Sequence, residues 1–462
     1  MIGSDEFSVD SIVFLNNGLN ALIQAILLTT IGTLADYGSG SSKMLLFITL
    51  ISCAAQIAFL AFDDSASSYW GVALLVGLVF QVSYGASLVF YWAIFPELAI
   101  NDPKVRAVRR SCRDQEYYLH FESMARNHIS TVSTAWSNIG FLLISVIIIG
   151  VGFGLSAHYH THWDKLPQYS NSIYSAVCGG YWLFCAIPWF ILQKKRPRPP
   201  LPPHASYLTY GWIKVGRALK AYKELPQTFL FLIGYFFLTG SVSSMNAITQ
   251  NLTNNLTDYN GLLQTYMSLV GSVASVLGCF LFLYVQKAFD WSTKTMLQIS
   301  TVFTLFMPVW GCISISSYVV GFRSVTELWI YQAWFGIFTA PFYAYSQTLM
   351  SELIPKGKEN MFFALFGITS KFSQFLGPAL IGIMNETIIN PRWGFVLCTV
   401  FQLLPIFIVG YVNMSKAEIR LKLYEERERR KSNPLLDQVD NSSSVASSLH
   451  AVKPEPSTTP VI

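Results

Sequence analysis

Eleven apolar runs dominate the chain, at about 10–35, 43–62, 69–96, 129–155, 171–193, 226–250, 262–286, 294–314, 325–350, 360–384 and 393–413. A helix needs about 20 such residues to cross a hydrocarbon layer of ~30 Å. Lipid offers backbone N–H and C=O groups no partner, so each run must satisfy them internally, as a helix does. The balance of residues agrees, at 52% apolar and only 12% charged, where an ordinary domain carries about 25% charged residues. No polar linker recurs often enough to cut 462 residues into soluble domains. The expected class is an all-α membrane protein, one integral unit in contact with the lipid bilayer.

The first run begins almost at Met1, with no basic stretch and no small-residue cleavage site before it, so no removable signal peptide is expected. Seven cysteines are scattered without a C-x-x-C pair, mostly inside apolar runs. They read as small core residues, neither a disulfide framework nor a metal site. The formal charge of +5 does not imply a nucleic-acid partner, because the basic residues sit in the short gaps between apolar runs.

Those gaps set the orientation, since Lys and Arg are retained on the cytoplasmic side. One side carries 27 of the 31 basic residues, including Lys43, Lys104 to Arg126, Lys194 to Lys223 and the tail after Met414; the other carries Lys165, Arg323 and Arg392. The tail is expected in the cytosol. The N-x-[ST] sequons at Asn251, Asn255 and Asn385 fall in loops assigned to the opposite, lumenal side, where N-glycosylation occurs.

With the tail cytosolic, eleven crossings put the amino terminus on the lumenal side. The expected organisation is a five-helix bundle over 1–193, a basic Pro-rich cytosolic linker over 194–225, a six-helix bundle over 226–413 and a tail over 414–462. Two six-helix halves would need one more helix before Val9. Arg196 to Pro203 reads as a polyproline II spacer, with an SH3-type ligand as the alternative. The tail reads as a charged helix, Lys416 to Lys431, followed by a disordered Ser-, Asn- and Pro-rich segment.

Lys371 is the sharpest single residue. It lies mid-run, where an unpaired charge costs at least ~2.5 kcal/mol, so it must face protein or a wet cavity. Gly367, Gln374 and Pro378 share its helical face, and Gly377 with Pro378 supplies a place to kink. A buried ammonium there can bind a substrate carboxylate or exchange a proton; the alternative is a structural lysine paired with a buried acid or with helix-end carbonyls. Asn17, Asn20 and Gln24 align on the first run and Tyr345 lies below Pro341. They suit a solute pathway or interhelical hydrogen bonding equally well.

Gly32-Thr-Leu-Ala-Asp36-Tyr-Gly38, with Lys43 following, joins the first two runs on the basic side. Small residues make the turn, and the acid can cap the next helix. This resembles the gate motif between the second and third helices of the major facilitator superfamily. His158, His160 and His162 read as a solvated loop, so no metal is expected. No nucleotide-binding loop or hydrolase elbow is present and no cofactor is expected.

Further stretches resemble one family, the fungal vacuolar effluxers of the autophagy-related protein 22 type. They are Asn101-Asp-Pro103 with Val105-Arg106, Arg198 to Pro202 with Tyr207-Leu208 and Gly211-Trp212, Ser351 to Pro355 with Gly357 to Glu359, and Phe362 to Lys371 with Leu376-Gly-Pro378. The resemblance implies the major facilitator fold, a vacuolar membrane location and no enzymatic activity. It also implies export to the cytosol of amino acids such as leucine, isoleucine and tyrosine after autophagic breakdown. A transporter of another small solute and a non-transporting membrane scaffold remain open.

Overall fold

The protein is described from a computed structural model. It describes residues 40–62, 69–111, 115–162, 166, 169–193, 219–257, 261–317, 319–356, 358–387 and 391–432, with isolated residues within 19–30 and 212–216.

Every regular element among these residues is helical. The first half contains α1 (Gly40–Ala58), α2 (Trp70–Trp92), the short α3 (Phe95–Ile100) and α4 (Pro103–Ser111), α5 (Gln115–Tyr159) and α6 (Tyr169–Leu192). The second contains α7 (Pro226–Leu256), α8 (Gly261–Phe289), α9 (Thr293–Ile313), α10 (Val325–Glu352), α11 (Glu359–Thr387) and α12 (Gly394–Tyr411). The tail begins with α13 (Met414–Ser432).

Eight helices among the described residues are long and apolar enough to cross a membrane. The helices α10 and α11, at 28 and 29 residues, have the length but not the same apolar density. Both carry an internal proline and interspersed polar residues, and α10 buries most of its second half inside the protein. A helix shielded by neighbours needs less lipid-compatible surface than one on the rim.

The second half is built around α7, whose most apolar window is 67% buried, against 6% for α6. Packed between α10, α11 and α12, α7 brings Phe231, Tyr235 and Leu238 into the main core with Phe366 of α11 and Tyr345 of α10. Close approach depends on small residues. A Cβ on Gly278 of α8 would lie 2.7 Å from the Ile337 Cα of α10, and one on Gly377 of α11 would lie 2.7 Å from the Gly240 carbonyl of α7.

In the first half, the space among α2, α5 and α6 is a cavity of about 710 Å³ walled by Tyr84, Trp136, Trp182 and Trp189. The halves meet where α5 packs on α8 and α10, and where α2 reaches α11.

Two expectations change. The fourth apolar run is only part of α5, a 45-residue helix that begins at Gln115, because the polar stretch before Ile129 continues the same helical turn into the basic side. Asn251 and Asn255 lie in the last turns of α7 and not in a loop, with Asn255 Nδ2 donating to Asn251 Oδ1 over 3.1 Å. Asn385 falls in the last turn of α11.

Candidate functional site

Helix α11 is fixed by the face it turns to α7. Phe366 stacks on Tyr235 at a centroid distance of 4.0 Å and meets the edge of Trp92 of α2 at 6.3 Å. About two turns on, Ser373 donates to the Phe236 carbonyl, and Ser243 Oγ donates to the Gln374 carbonyl over 3.1 Å. The α11 helix continues unbroken through Pro378.

Lys371 sits beside this packed face, half-buried. Among the described residues no carboxylate pairs with it. Its polar neighbours along α11 are Ser370 beside it and Gln374 one turn on, and Gln374 Nε2 donates to Ser370 Oγ over 3.0 Å.

The other described pathway candidates make hydrogen bonds between helices. Asn20 Nδ2 donates to Gln81 Oε1 over 2.9 Å, and Gln24 Nε2 donates to Asn20 Oδ1 over 3.1 Å and to the Gln81 carbonyl over 2.8 Å. That trio ties the first apolar segment to α2. Tyr345 is fully buried, its hydroxyl donating to Gln286 Oε1 of α8 over 2.9 Å. Asn17, Gly32, Asp36 and Gly38 lie outside the described residues.

A second polar cluster, which the sequence reading missed, joins the halves on the side that carries the tail. His120 Nε2 of α5 lies 2.8 Å from Asp290 Oδ1. On the same helix Glu122 pairs with Arg126, and Arg126 Nη1 donates to the Ser351 carbonyl over 2.9 Å. Ser123 and Thr293 both donate to Glu352 Oε1. Deeper, Ser130 Oγ donates to the Ala344 carbonyl over 2.9 Å. The available signal was the Glu122–Arg126 spacing, an i,i+4 pair on a polar helical extension.

Beneath α13, a cavity of about 550 Å³ opens against this cluster, lined by Glu122, Arg126, Glu352 and Glu418 among others. At the sequon side a cavity of about 350 Å³ lies between the halves, walled by Phe141, Ile144 and Ile148 of α5 and by Gln250, Gln264 and Gln332 of the second half.

Residues 1–421 match the family described as "Vacuole effluxer Atg22 like". The chain belongs to that family. This Atg22-like chain is 24% identical over 455 residues to autophagy-related protein 22 of Coccidioides immitis, a match covering 89% of the chain and 74% of the relative. It is 25% identical over 348 residues to the Cryptococcus neoformans protein of the same name, covering 72% and 58%. For Neurospora crassa the figures are 23% identity, 89% and 62%. The chain thus spans less than two thirds of the length of the last two relatives.

Two solved structures share the fold. The human organic anion transporter MFSD10 superposes with a TM-score of 0.53 at 12% identity, covering 86% of this chain and 83% of that one. The major facilitator proton:xylose symporter XylE gives 0.57 at 10% identity, covering 88% of each. The fold of the Atg22-like chain is that of the major facilitator superfamily. Family and fold together are those of a multi-pass membrane transporter in autophagy, not of an enzyme.

Proposed function

We propose that this chain is a secondary transporter that carries amino acids of the leucine, isoleucine and tyrosine class from the vacuole lumen to the cytosol, recycling the products of autophagic breakdown. The observation that carries the reading is Lys371, a half-buried cation in mid-helix with polar neighbours and no acidic partner among the described residues. An ammonium held in such a place favours the arrival of a carboxylate. Every amino acid brings one.

Transport then proceeds by alternating access, the two halves rocking around a midplane site. The hydrogen bonds that join the halves on the tail side suit the lumen-facing state of such a cycle, with the tail in the cytosol. The 27-to-4 division of basic residues between the tail side and the rest of the chain supports that orientation. In this reading Gln374 and Ser370 help to seat the solute near Lys371, Gly377 and Pro378 supply compliance in α11, and Asp36 with Gly32 and Gly38 holds the cytosolic gate.

The test is release of preloaded amino acids from vesicles containing the chain. Efflux is expected to fall at least tenfold in Lys371→Ala and to persist in Lys371→Arg, which keeps the charge. Unchanged efflux in Lys371→Ala overturns the role given to Lys371, and no amino-acid efflux from the wild type overturns the substrate class.

A further inference from the structure

Glu352 ends α10 two residues beyond the apolar run 325–350. Its side chain is half-buried where α5 of the first half meets α9 and α10 of the second. Ser123 Oγ donates to its Oε1 over 2.6 Å and Thr293 Oγ1 does so over 2.7 Å. The two hydroxyls are 3.0 Å apart, and Asn127 Nδ2 donates to Thr293 Oγ1 over 2.8 Å. The same residue lines the cavity of about 550 Å³ beneath α13, which gives a proton a route to the tail side.

We propose that Glu352 is a proton-binding site at the seam between the halves, protonated while the seam is closed and releasing its proton to the tail side as the seam opens. The proposal rests on the alternating-access reading but not on the identity of the solute.

The chemistry of the partners supports it. Hydroxyls donate or accept as required, so Ser123 and Thr293 can hold Glu352 in either protonation state. What the closed seam disfavours is the charge itself. Burial pushes the Glu352 carboxyl above the usual carboxylate range, and the Ser123 and Thr293 hydroxyls with Arg126 offset this only in part.

The other groups around it are largely engaged. On α5, Arg126 is held by Glu122 and the Ser351 carbonyl, and His120 faces Asp290. On α9, Lys294 donates to the Gly410 and Val412 carbonyls. Across the cavity stand Tyr118, Lys356, Glu359 and, from α13, Glu418, Lys422 and Glu425. Because the closed-state pKa is raised, the contribution of Glu352 to closure is complete below the ordinary carboxylate value and is lost as pH rises through the raised one. A proton is bound on closing, and on opening it leaves the carboxyl oxygen for water.

The experiment uses the full chain in lipid vesicles without solute, spin-labelled at Ser111→Cys and Lys287→Cys, exposed tail-side positions on the two halves, with the native cysteines replaced. Raising the pH from acid to neutral is expected to increase the long-distance population about fivefold or more, the usual scale of such coupling. In Glu352→Gln, a neutral side chain with the same hydrogen-bonding reach, the short distance should persist at every pH. Infrared difference spectra supply a readout independent of the labels: the wild type should show a carboxylic-acid carbonyl band on acidification, displaced in frequency in Glu352→Asp. A wild-type distance distribution indifferent to pH, a Glu352→Gln response equal to that of the wild type, or an acid band unmoved by Glu352→Asp would each overturn the proposal. Normal pH-dependent opening without amino-acid efflux would leave Glu352 in place and remove only the assigned solute.

Discussion

Lys358 Nζ stands 2.7 Å from Glu428 Oε2 and 2.9 Å from the Tyr424 hydroxyl, which clamps the tail helix α13 to the loop between α10 and α11. The Lys356 N–H adds a bond to Glu425 Oε1 over 2.8 Å, and Arg427 reaches Glu224 over 2.6 Å. Burial alone would lower the Lys358 pKa, but Glu428 and Tyr424 outweigh it and hold the ammonium above its ordinary range. A raised pKa contributes fully below the ordinary lysine value and is lost as pH rises through the raised one.

For a partly exposed pair the contribution is about 1 kcal/mol. Lys358→Ala is therefore expected to free α13 and speed tryptic cleavage at Arg427 roughly fivefold. Wild type should show the same acceleration only at pH above the lysine range. Equal cleavage rates at neutral pH would mean that the clamp does not hold the helix.

The crossing of α8 and α10 at Gly278 makes a sharper prediction about stability. A side chain there meets the Ile337 backbone, which cannot rotate away, so Gly278→Val should destabilise by about 1–3 kcal/mol through overpacking. Thermal unfolding of the protein in detergent measures it. An unshifted midpoint would mean that the two helices do not approach this closely.

Tyr345→Phe separates a structural role from a pathway role. Removing the hydroxyl leaves the buried Gln286 without its 2.9 Å donor, a loss of about 1–3 kcal/mol. Lower stability with undiminished solute efflux is the expected result. Efflux lost at unchanged stability would return Tyr345 to the solute pathway.

The membrane architecture was legible because period and length decide it: an apolar run of bilayer length has few other uses. The fates of single polar residues were not. Asn20 and Gln24 read alike as pathway or glue until Gln81, more than fifty residues away in the chain, was found bonded to both. Glu352 went unread for a related reason. Its importance comes from Ser123 and Thr293, which reach it from two other helices, and no local spacing encodes a meeting of three elements. The polar start of α5 resembled a loop because amphipathic helix and solvated turn share a composition, and only tertiary contact along α5 tells them apart.

With 45 residues, α5 is about 68 Å long at 1.5 Å per residue, roughly twice the thickness of the hydrocarbon layer it crosses. It carries Ser123 and Arg126 of the seam near one end and Phe141 and Ile148 of the sequon-side cavity further along. In the alternating-access reading, a tilt of α5 that lifts its seam end from the second half brings its far end toward it, so one continuous helix couples the two cavities it borders.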